Sequence, residues 1–164
     1  MPASLRVGVI SDTHNLLRPE AIDFLRGADH IVHAGDIVDA AILDDLGRLA
    51  PVTAVRGNND RAAWANRLKE IEIVTLGDVR VCVIHDLSQL DLDLERAGIH
   101  VVVSGHSHKP RVERRGGALF VNPGSAGPRR FTLPIAAAEL AIAGCSVSAR
   151  IVELASSSPL KGPP

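Results

Sequence analysis

Leu5-Arg6-Val7-Gly8-Val9-Ile10 runs directly into Ser11-Asp12-Thr13-His14. A short β-branched run that stops in a polar loop reads as a buried strand carrying chemistry at its carboxyl end. The same unit returns twice. His30 to His33 is closed by Ala34-Gly35-Asp36, and Pro51 to Val55 by Arg56-Gly57-Asn58-Asn59-Asp60. Two segments between them have helical spacing. Pro19 to Arg26 opens on a first-turn proline and stops at Gly27. Val38 to Leu49 sets Ile42, Leu43, Leu46 and Leu49 on one face. Strand, helix, strand, helix, strand, with a polar loop after each strand, predicts a parallel sheet with crossover helices.

The pattern changes after Asp60. Ile71 to Leu76 and Val79 to His85 flank Gly77-Asp78 and predict a hairpin. Ser88 to Ala97 predicts a short helix ended by Gly98. Ile99 to Val103 is a strand that stops at Ser104-Gly105-His106-Ser107-His108. Arg111 to Arg115 and Ala118 to Val121 form a second hairpin about Gly116-Gly117. Ile135 to Ile142 and Ser146 to Leu154 form a third about Ala143-Gly144-Cys145. The second half is therefore expected to be strand-rich and largely antiparallel. The 164 residues hold no internal repeat and no dividing linker. They read as one domain over 1–155 and a Ser, Pro and Gly-rich tail over 156–164, expected to be flexible. Two sheets packed face to face with helices outside is the economical architecture.

Composition narrows the function. At 46% hydrophobic and 23% charged, the chain is neither disordered nor fibrous. Eighteen basic and 19 acidic residues give a net charge of −1, so no global basic field draws in nucleic acid or an anionic membrane. Three Phe, one Trp and no Tyr leave no platform for stacking bases. No segment approaches the ~20 apolar residues of a membrane helix. The start of the chain lacks the pattern of a signal peptide. Cys82 and Cys145 are isolated, which predicts a reduced, cytoplasmic protein. The unusual feature is seven His, more than all aromatics together.

Five polar clusters each end a predicted strand, and sites in α/β sheets form beyond strand carboxyl ends. Asp12-Thr13-His14 offers a carboxylate and an imidazole, or else a helix cap. Gly35-Asp36 is either a turn or a carboxylate whose two oxygens bridge two cations. Gly57-Asn58-Asn59-Asp60 offers a neutral amide oxygen, suited to hard or intermediate divalent ions, or another turn. His85 ends the fourth strand run. Gly105-His106-Ser107-His108 carries two imidazoles on a turn and is the strongest single signal. The conjunction favours chemistry over five separate turns. Two Asp, one Asn and four His make seven side chains, which is four ligands per ion with one Asp shared. The mixed nitrogen and oxygen set, free of thiolate, fits Mn, Fe, Ni, Co or Zn in two-metal hydrolysis.

The order Asp12-x-His14, Gly35-Asp36, Gly57-Asn58-x-Asp60, His85, Gly105-His106-x-His108 resembles the calcineurin-like metallophosphoesterases. Asn122-Pro123-Gly124-Ser125, followed by Ala126-Gly127-Pro128-Arg129, is similar to their small bacterial and archaeal phosphodiesterase branch. The resemblance spans Leu5 to about Leu154. It implies an α/β fold, a four-layer α/β/β/α sandwich of two mixed sheets with outer helices. It also implies a binuclear centre, with one ion held by Asp12, His14, Asp36 and His108. The other would be held by Asp36, Asn58, His85 and His106. A hydroxide bridging two divalent ions, Mn²⁺ foremost with Ni²⁺, Co²⁺, Fe²⁺ or Zn²⁺ as alternatives, would attack a phosphoester. Asp60 would fix the loop of Asn58 from behind.

Two departures matter. Many relatives have a proton-donating His where this chain has Asn59. Relatives also continue His85 with Gly-His, where Asp86-Leu87 stands here; Asp86 either repels charged monoesters or caps the next helix. Asn59 and Arg129, with Arg130 beside it, are the candidate substrate contacts. His33 is expected to support the Asp36 loop, and His30 and His100 to be structural. The expected partner is a small phosphodiester, with a short oligonucleotide as the nucleic-acid limit, no membrane, and a homo-oligomer as an option. The rival reading is a protein-binding scaffold of the same fold, similar to the retromer subunit, and a nuclease is the third.

Overall fold

β1 (Ser4–Ile10) lies at the centre of the first sheet of the computed structural model, which describes residues 4–154. β2 (His30–His33) pairs with it in parallel, from Val7 opposite His30 to Ile10 opposite His33. β3 (Val52–Ala54) continues the parallel order beyond β2. On the other side, β9 (Ala136–Ala143) and β10 (Ser146–Glu153) run antiparallel, giving the order β10-β9-β1-β2-β3. The second sheet holds β4 (Ile71–Leu76), β5 (Val79–Ile84), β6 (Val101–Val103), β7 (Arg111–Arg115) and β8 (Ala118–Asn122). Their order is β4-β5-β6-β8-β7.

The alternation of side chains along each strand creates the layers. Val7 and Val9 of β1 and Val81 and Val83 of β5 enter one fully buried cluster between the sheets, with Val101, Val103 and Leu140. The other face of the first sheet, with Ile10 and Ile31, packs under α1 (Pro19–Leu25) and α2 (Ala40–Gly47) through Leu25, Ile42 and Leu46. The outer face of the second sheet, with Cys82, Ile84 and Val102, packs under α3 (Leu94–Ala97). Three apolar seams separate four layers, and the α/β/β/α sandwich of two mixed sheets is the fold. Burial pushes the Cys82 thiol up to about 11, so it acts as a small hydrophobe.

The three hairpins and the first parallel unit form as the sequence predicts. The second half is largely antiparallel, as expected, through the pairs β4 with β5, β7 with β8 and β9 with β10, but two of its ladders are not. β5 pairs with β6 in parallel, and β6 with β8 in parallel, because the chain crosses over between them instead of turning back. The helix expected over Ser88 to Ala97 is two short pieces, a 3₁₀ turn at Leu87–Gln89 and α3. Asp86 caps the first by accepting from Ser88 N, and Asp93 caps the second by accepting from Arg96 N. Two competing N-caps within one window start two turns rather than one helix. Gly98 ends α3 in the left-handed conformation, as expected. The helix expected over Val38 to Leu49 is trimmed to α2. Asp39 caps it at Ala41 N, and Val38 has a φ of 77° that no helix admits. A 3₁₀ turn at Ala63–Arg67 carries no sequence signal; it lays Trp64 against the seam under α1 and α2. The expected tail at 156–164 lies outside the described residues.

Leu140 is fully buried at the centre of the inter-sheet seam. Leu140→Ala is expected to lower the unfolding free energy by about 3–5 kcal/mol, read by urea denaturation at unchanged m-value.

Candidate metal centre

All five polar clusters follow strands of the two sheets at their carboxyl ends: after β1, β2 and β3 in one, and after β5 and β6 in the other. Backbone hydrogen bonds zip each set together. Asp12 N donates to Gly35 O at 2.9 Å, His14 N to Asp36 O at 3.0 Å, and Asn15 N to Ile37 O at 3.0 Å. Across the second sheet Gly105 N donates to His85 O at 3.0 Å. The two sets are then stitched to each other. His85 Nδ1 contacts Ala34 O at 2.7 Å, and His106 N donates to Asp12 Oδ2 at 3.1 Å.

The seven donor side chains form one unbroken path. His108 Nε2 is 3.4 Å from Asp12 Oδ1, which is 3.7 Å from His14 Nε2. His14 Nε2 is 3.6 Å from Asp36 Oδ2, which is 3.3 Å from His85 Nε2. His85 Nε2 is 3.0 Å from Asn58 Oδ1, which is 3.2 Å from His106 Nδ1. Asp36 stands at the midpoint, between one set of Asp12, His14 and His108 and another of His85, Asn58 and His106. Two compact carboxylate and imidazole groups lie within this path, Asp12 with His14 and His108, and Asp12 with Asp36 and His85.

The geometry is held against backbone preference. Asp12, His14, Asp36, His106 and His108 have φ between 45° and 70°. Each left-handed non-glycine residue costs of order 1 kcal/mol or more, so the surrounding hydrogen bonds must over-determine it. Two glycines make the close approach. A Cβ on Gly35 would stand 2.8 Å from His85 Nδ1, and one on Gly57 would fall on Asp36's backbone nitrogen and carboxylate.

A divalent cation suits these residues for a stated reason. Asp12 Oδ2 is satisfied by Ser11 Oγ at 2.7 Å and by His106 N. Its other oxygen, Oδ1, is buried with no hydrogen-bond donor, as are His14 Nε2 and His108 Nδ1. Buried polar atoms without partners are rare in proteins. Around His85 the contact to Ala34 O places the proton on Nδ1, so the Nε2 lone pair faces the oxygens of Asp36 and Asn58. Burial pushes the Asp12 carboxyl up, but the close imidazoles of His108, His14 and His85 and the Ser11 hydroxyl outweigh it and hold it well below the usual range. Burial pushes His85 down, but Asp36 and Asp12 outweigh it and raise it. Both directions mark a site that attracts positive charge.

The supporting residues are more informative than the sequence suggested. Asp60 is buried and accepts four backbone N–H groups, from Asp36 at 2.9 Å, Ile37 at 2.8 Å, Val38 at 2.7 Å and Gly57 at 2.8 Å. It therefore fixes the loop of Asp36 as well as that of Asn58. Asn59 also grips Asp36, donating its backbone N to Oδ1 and its Nδ2 to Oδ2, both at 2.9 Å. His33 is fully buried, receives Gly35 N on Nδ1 and meets Thr13 Oγ1 with Nε2. His30 contacts Thr53 Oγ1 at 2.8 Å, and His100 accepts from Arg80 N at 2.9 Å, away from the path. Arg129 donates to Leu133 O at 3.4 Å within its own loop. Asp86 is a cap, and its Oδ2 stands 3.9 Å from His106 Nε2. The sequence reading missed Asn122 and Ser125 as supports. Asn122 Nδ2 donates to Gly105 O and Ser107 Oγ, and Ser125 Oγ donates to Asp12 O at 3.0 Å. Their signal was available, since they form a sixth polar cluster ending a strand.

Comparison with known proteins bears on this geometry. The family model described as the calcineurin-like phosphoesterase superfamily domain matches residues 5–144. A probable metallophosphoesterase of Methanocaldococcus jannaschii is 38% identical over 135 residues, covering 74% of this chain and 68% of that protein. A protein of the same organism named a phosphodiesterase is 28% identical, covering 73% of this chain and 83% of that one. The solved structure of vacuolar protein sorting 29 from Cryptosporidium parvum superposes with a TM-score of 0.80 at 22% identity, covering 94% of each chain.

Removing the Asp60 carboxylate strands four N–H groups. Asp60→Ala is expected to cost more than about 3 kcal/mol in urea denaturation and to weaken divalent-ion binding by roughly 10–100-fold in calorimetric titration. His33 gives a pH signature. Desolvation drives it down to about 4 from 6.5, against the opposing fields of Asp12 and Asp36. As pH falls, the unfolded chain takes up this proton first, so the folded state loses stability through that window. Metal-free protein is expected to lose about 2 kcal/mol between pH 7 and 5 through this one group. The same denaturation series on His33→Gln should lack that component; an unchanged pH slope would refute the assignment.

Proposed function

The chain belongs to the calcineurin-like phosphoesterase superfamily, and on that premise we propose that it is a metal-dependent phosphodiesterase acting at a binuclear centre. The observation that carries this reading is the unbroken path of seven donors divided at Asp36. Asp12, His14, Asp36 and His108 would hold one divalent ion. Asp36, Asn58, His85 and His106 would hold the other. The donor set, with oxygens and imidazoles and no thiolate, suits Mn²⁺ first, with Ni²⁺, Co²⁺, Fe²⁺ or Zn²⁺ as alternatives. Such ions, when bound, polarise the phosphoryl group and lower the pKa of a coordinated water.

The protein's own part is orientation. Asp60 and His33 fix the loop that presents Asp36. Ser11 and the His106 amide take up one oxygen of Asp12, so the other is aimed into the site. Asn59 holds the shared carboxylate from the opposite side, and its amide neither gives nor takes a full proton at neutral pH. No protonating group stands at that position for the departing alkoxide, so esters with good leaving groups should turn over best. Water adds to phosphorus, one ester P–O bond breaks, and the products are a phosphomonoester and an alcohol. The name of the 28% identical relative supports the diester over the monoester.

The alternative is a protein-binding scaffold, supported by the likeness to vacuolar protein sorting 29. The two part at the bench. Metal-free protein given Mn²⁺ should hydrolyse bis(4-nitrophenyl) phosphate and lose that activity to a chelator. Asp36→Ala should lower kcat/KM by more than about 100-fold, beyond what loss of an outer support costs. Turnover that survives the substitution or the chelator would reject this centre. Wild-type protein that takes up no metal and hydrolyses nothing would favour the scaffold.

A further inference from the structure

Beside the metal-centre loops lies a pocket of about 450 Å³, within the range of small-molecule sites. His106 and Asp86 form its border with the centre, and its walls come from β7, β8 and the segment leading into β7. Much of its lining is apolar, with Leu87, Pro110 and Phe120 contributing. Bare phosphate needs no such space and would leave this apolar surface wet. The charged groups of the pocket are three cations, Lys109, Arg111 and Arg115, against two carboxylates, Asp86 and Glu113. Arg111 and Arg115 share a single carboxylate, that of Glu113, at 2.8 and 2.9 Å. The Arg115 guanidinium also lies over the Phe120 ring, 4.9 Å from its centroid, which keeps that wall in place. Lys109, exposed and directly after His108, also lines the pocket. Among the described residues its ammonium has no carboxylate partner.

Resting on the phosphodiesterase reading, we propose that this pocket is the subsite for the retained ester arm of the substrate. The arm it takes combines an apolar ring or chain with an anionic group that meets Lys109. Asp86 at the border sets the order of the two. A second negative charge immediately beside the phosphoryl group faces the Asp86 carboxylate, whereas one displaced along the arm faces the cation. The substrate class is therefore an anionic, amphipathic phosphodiester, with the pocket rather than the metal centre choosing among diesters.

Three esters with a common leaving group test this: methyl, phenyl and 4-carboxyphenyl 4-nitrophenyl phosphate. With Mn²⁺-loaded protein, phenyl should exceed methyl in kcat/KM by about tenfold, carried mainly in KM. The carboxylate should add roughly two- to fivefold more. Lys109→Ala should erase the carboxylate's share and Lys109→Arg should keep it. Phe120→Leu should shrink the phenyl over methyl ratio. Methyl-, phenyl- and 4-carboxyphenylphosphonate, which are not hydrolysed, should bind in the same order by calorimetry. Equal binding of the three phosphonates would overturn the subsite. A Lys109→Ala loss equal on all three esters would place the ammonium at the phosphoryl group and overturn the assignment to the arm. The phosphonate order kept, with none of the esters turned over, would uphold the pocket and reject the phosphodiesterase reading instead.

Discussion

Four backbone N–H groups, those of Asp36, Ile37, Val38 and Gly57, converge on the carboxylate of Asp60. These groups belong to loops that leave two different strands, and neither loop has a regular hydrogen-bonding scheme of its own. A buried amide without an acceptor is expensive, and a buried carboxylate without donors is more so. Each requirement is met only when both loops are in place. That mutual dependence permits Asp36 to sit at a φ of 58° and Val38 at 77°, conformations that a free loop would abandon. The position of Asp36 then sets where the two halves of the donor path meet.

The same economy explains how the centre stays open to a cation. Asp12 has one oxygen committed to Ser11 and His106 and the other left bare. Asp36 takes both of its side-chain hydrogen bonds from Asn59 alone. His85 has its Nδ1 tied to a carbonyl from the opposite sheet. In each case one face of a side chain is satisfied by protein and one is withheld. Each of the three has at least one backbone partner, the His106 amide, the Asn59 amide and the Ala34 carbonyl, and backbone atoms do not change rotamer.

How much of this was legible beforehand depended on whether the signal was local. β1, β2 and their loops were readable because a β-branched run followed by Asp or His carries its own message. The seven candidate donors were readable because each ends a strand. The direction of β6 was not, because a run such as Val101 to Val103 has no polarity relative to its neighbours until the crossover is known. The division of Ser88 to Ala97 was hidden by two Asp residues that both look like helix caps and both act as such. Asp60 was recognisable as a support from its place in the motif. The identities of its four donors were not, because three of them lie more than 20 positions away in the chain. The partner of Ser125, the carbonyl of Asp12 across 113 positions, was hidden for the same reason, although the polar cluster that holds Ser125 was itself in view.

The placing of β1 between β2 and β9 also has a kinetic side. The first strand of the described chain is hydrogen-bonded on one flank to a strand that begins at Ala136, with Ser4 opposite Ala143. Contacts of such long sequence separation form late, since the intervening chain must be closed before they return any stability. A nascent chain can therefore assemble β1, β2 and β3, and bring Asp12, Asp36 and Asn58 near one another, while one edge of β1 remains unpaired. That edge is closed only when the chain through Ala143 has left the ribosome. Until then the protein carries an open, apolar strand of the kind that invites association between chains. The arrangement that gives the mature fold its central strand thus makes the emergence of β9 the point at which the risk of aggregation falls.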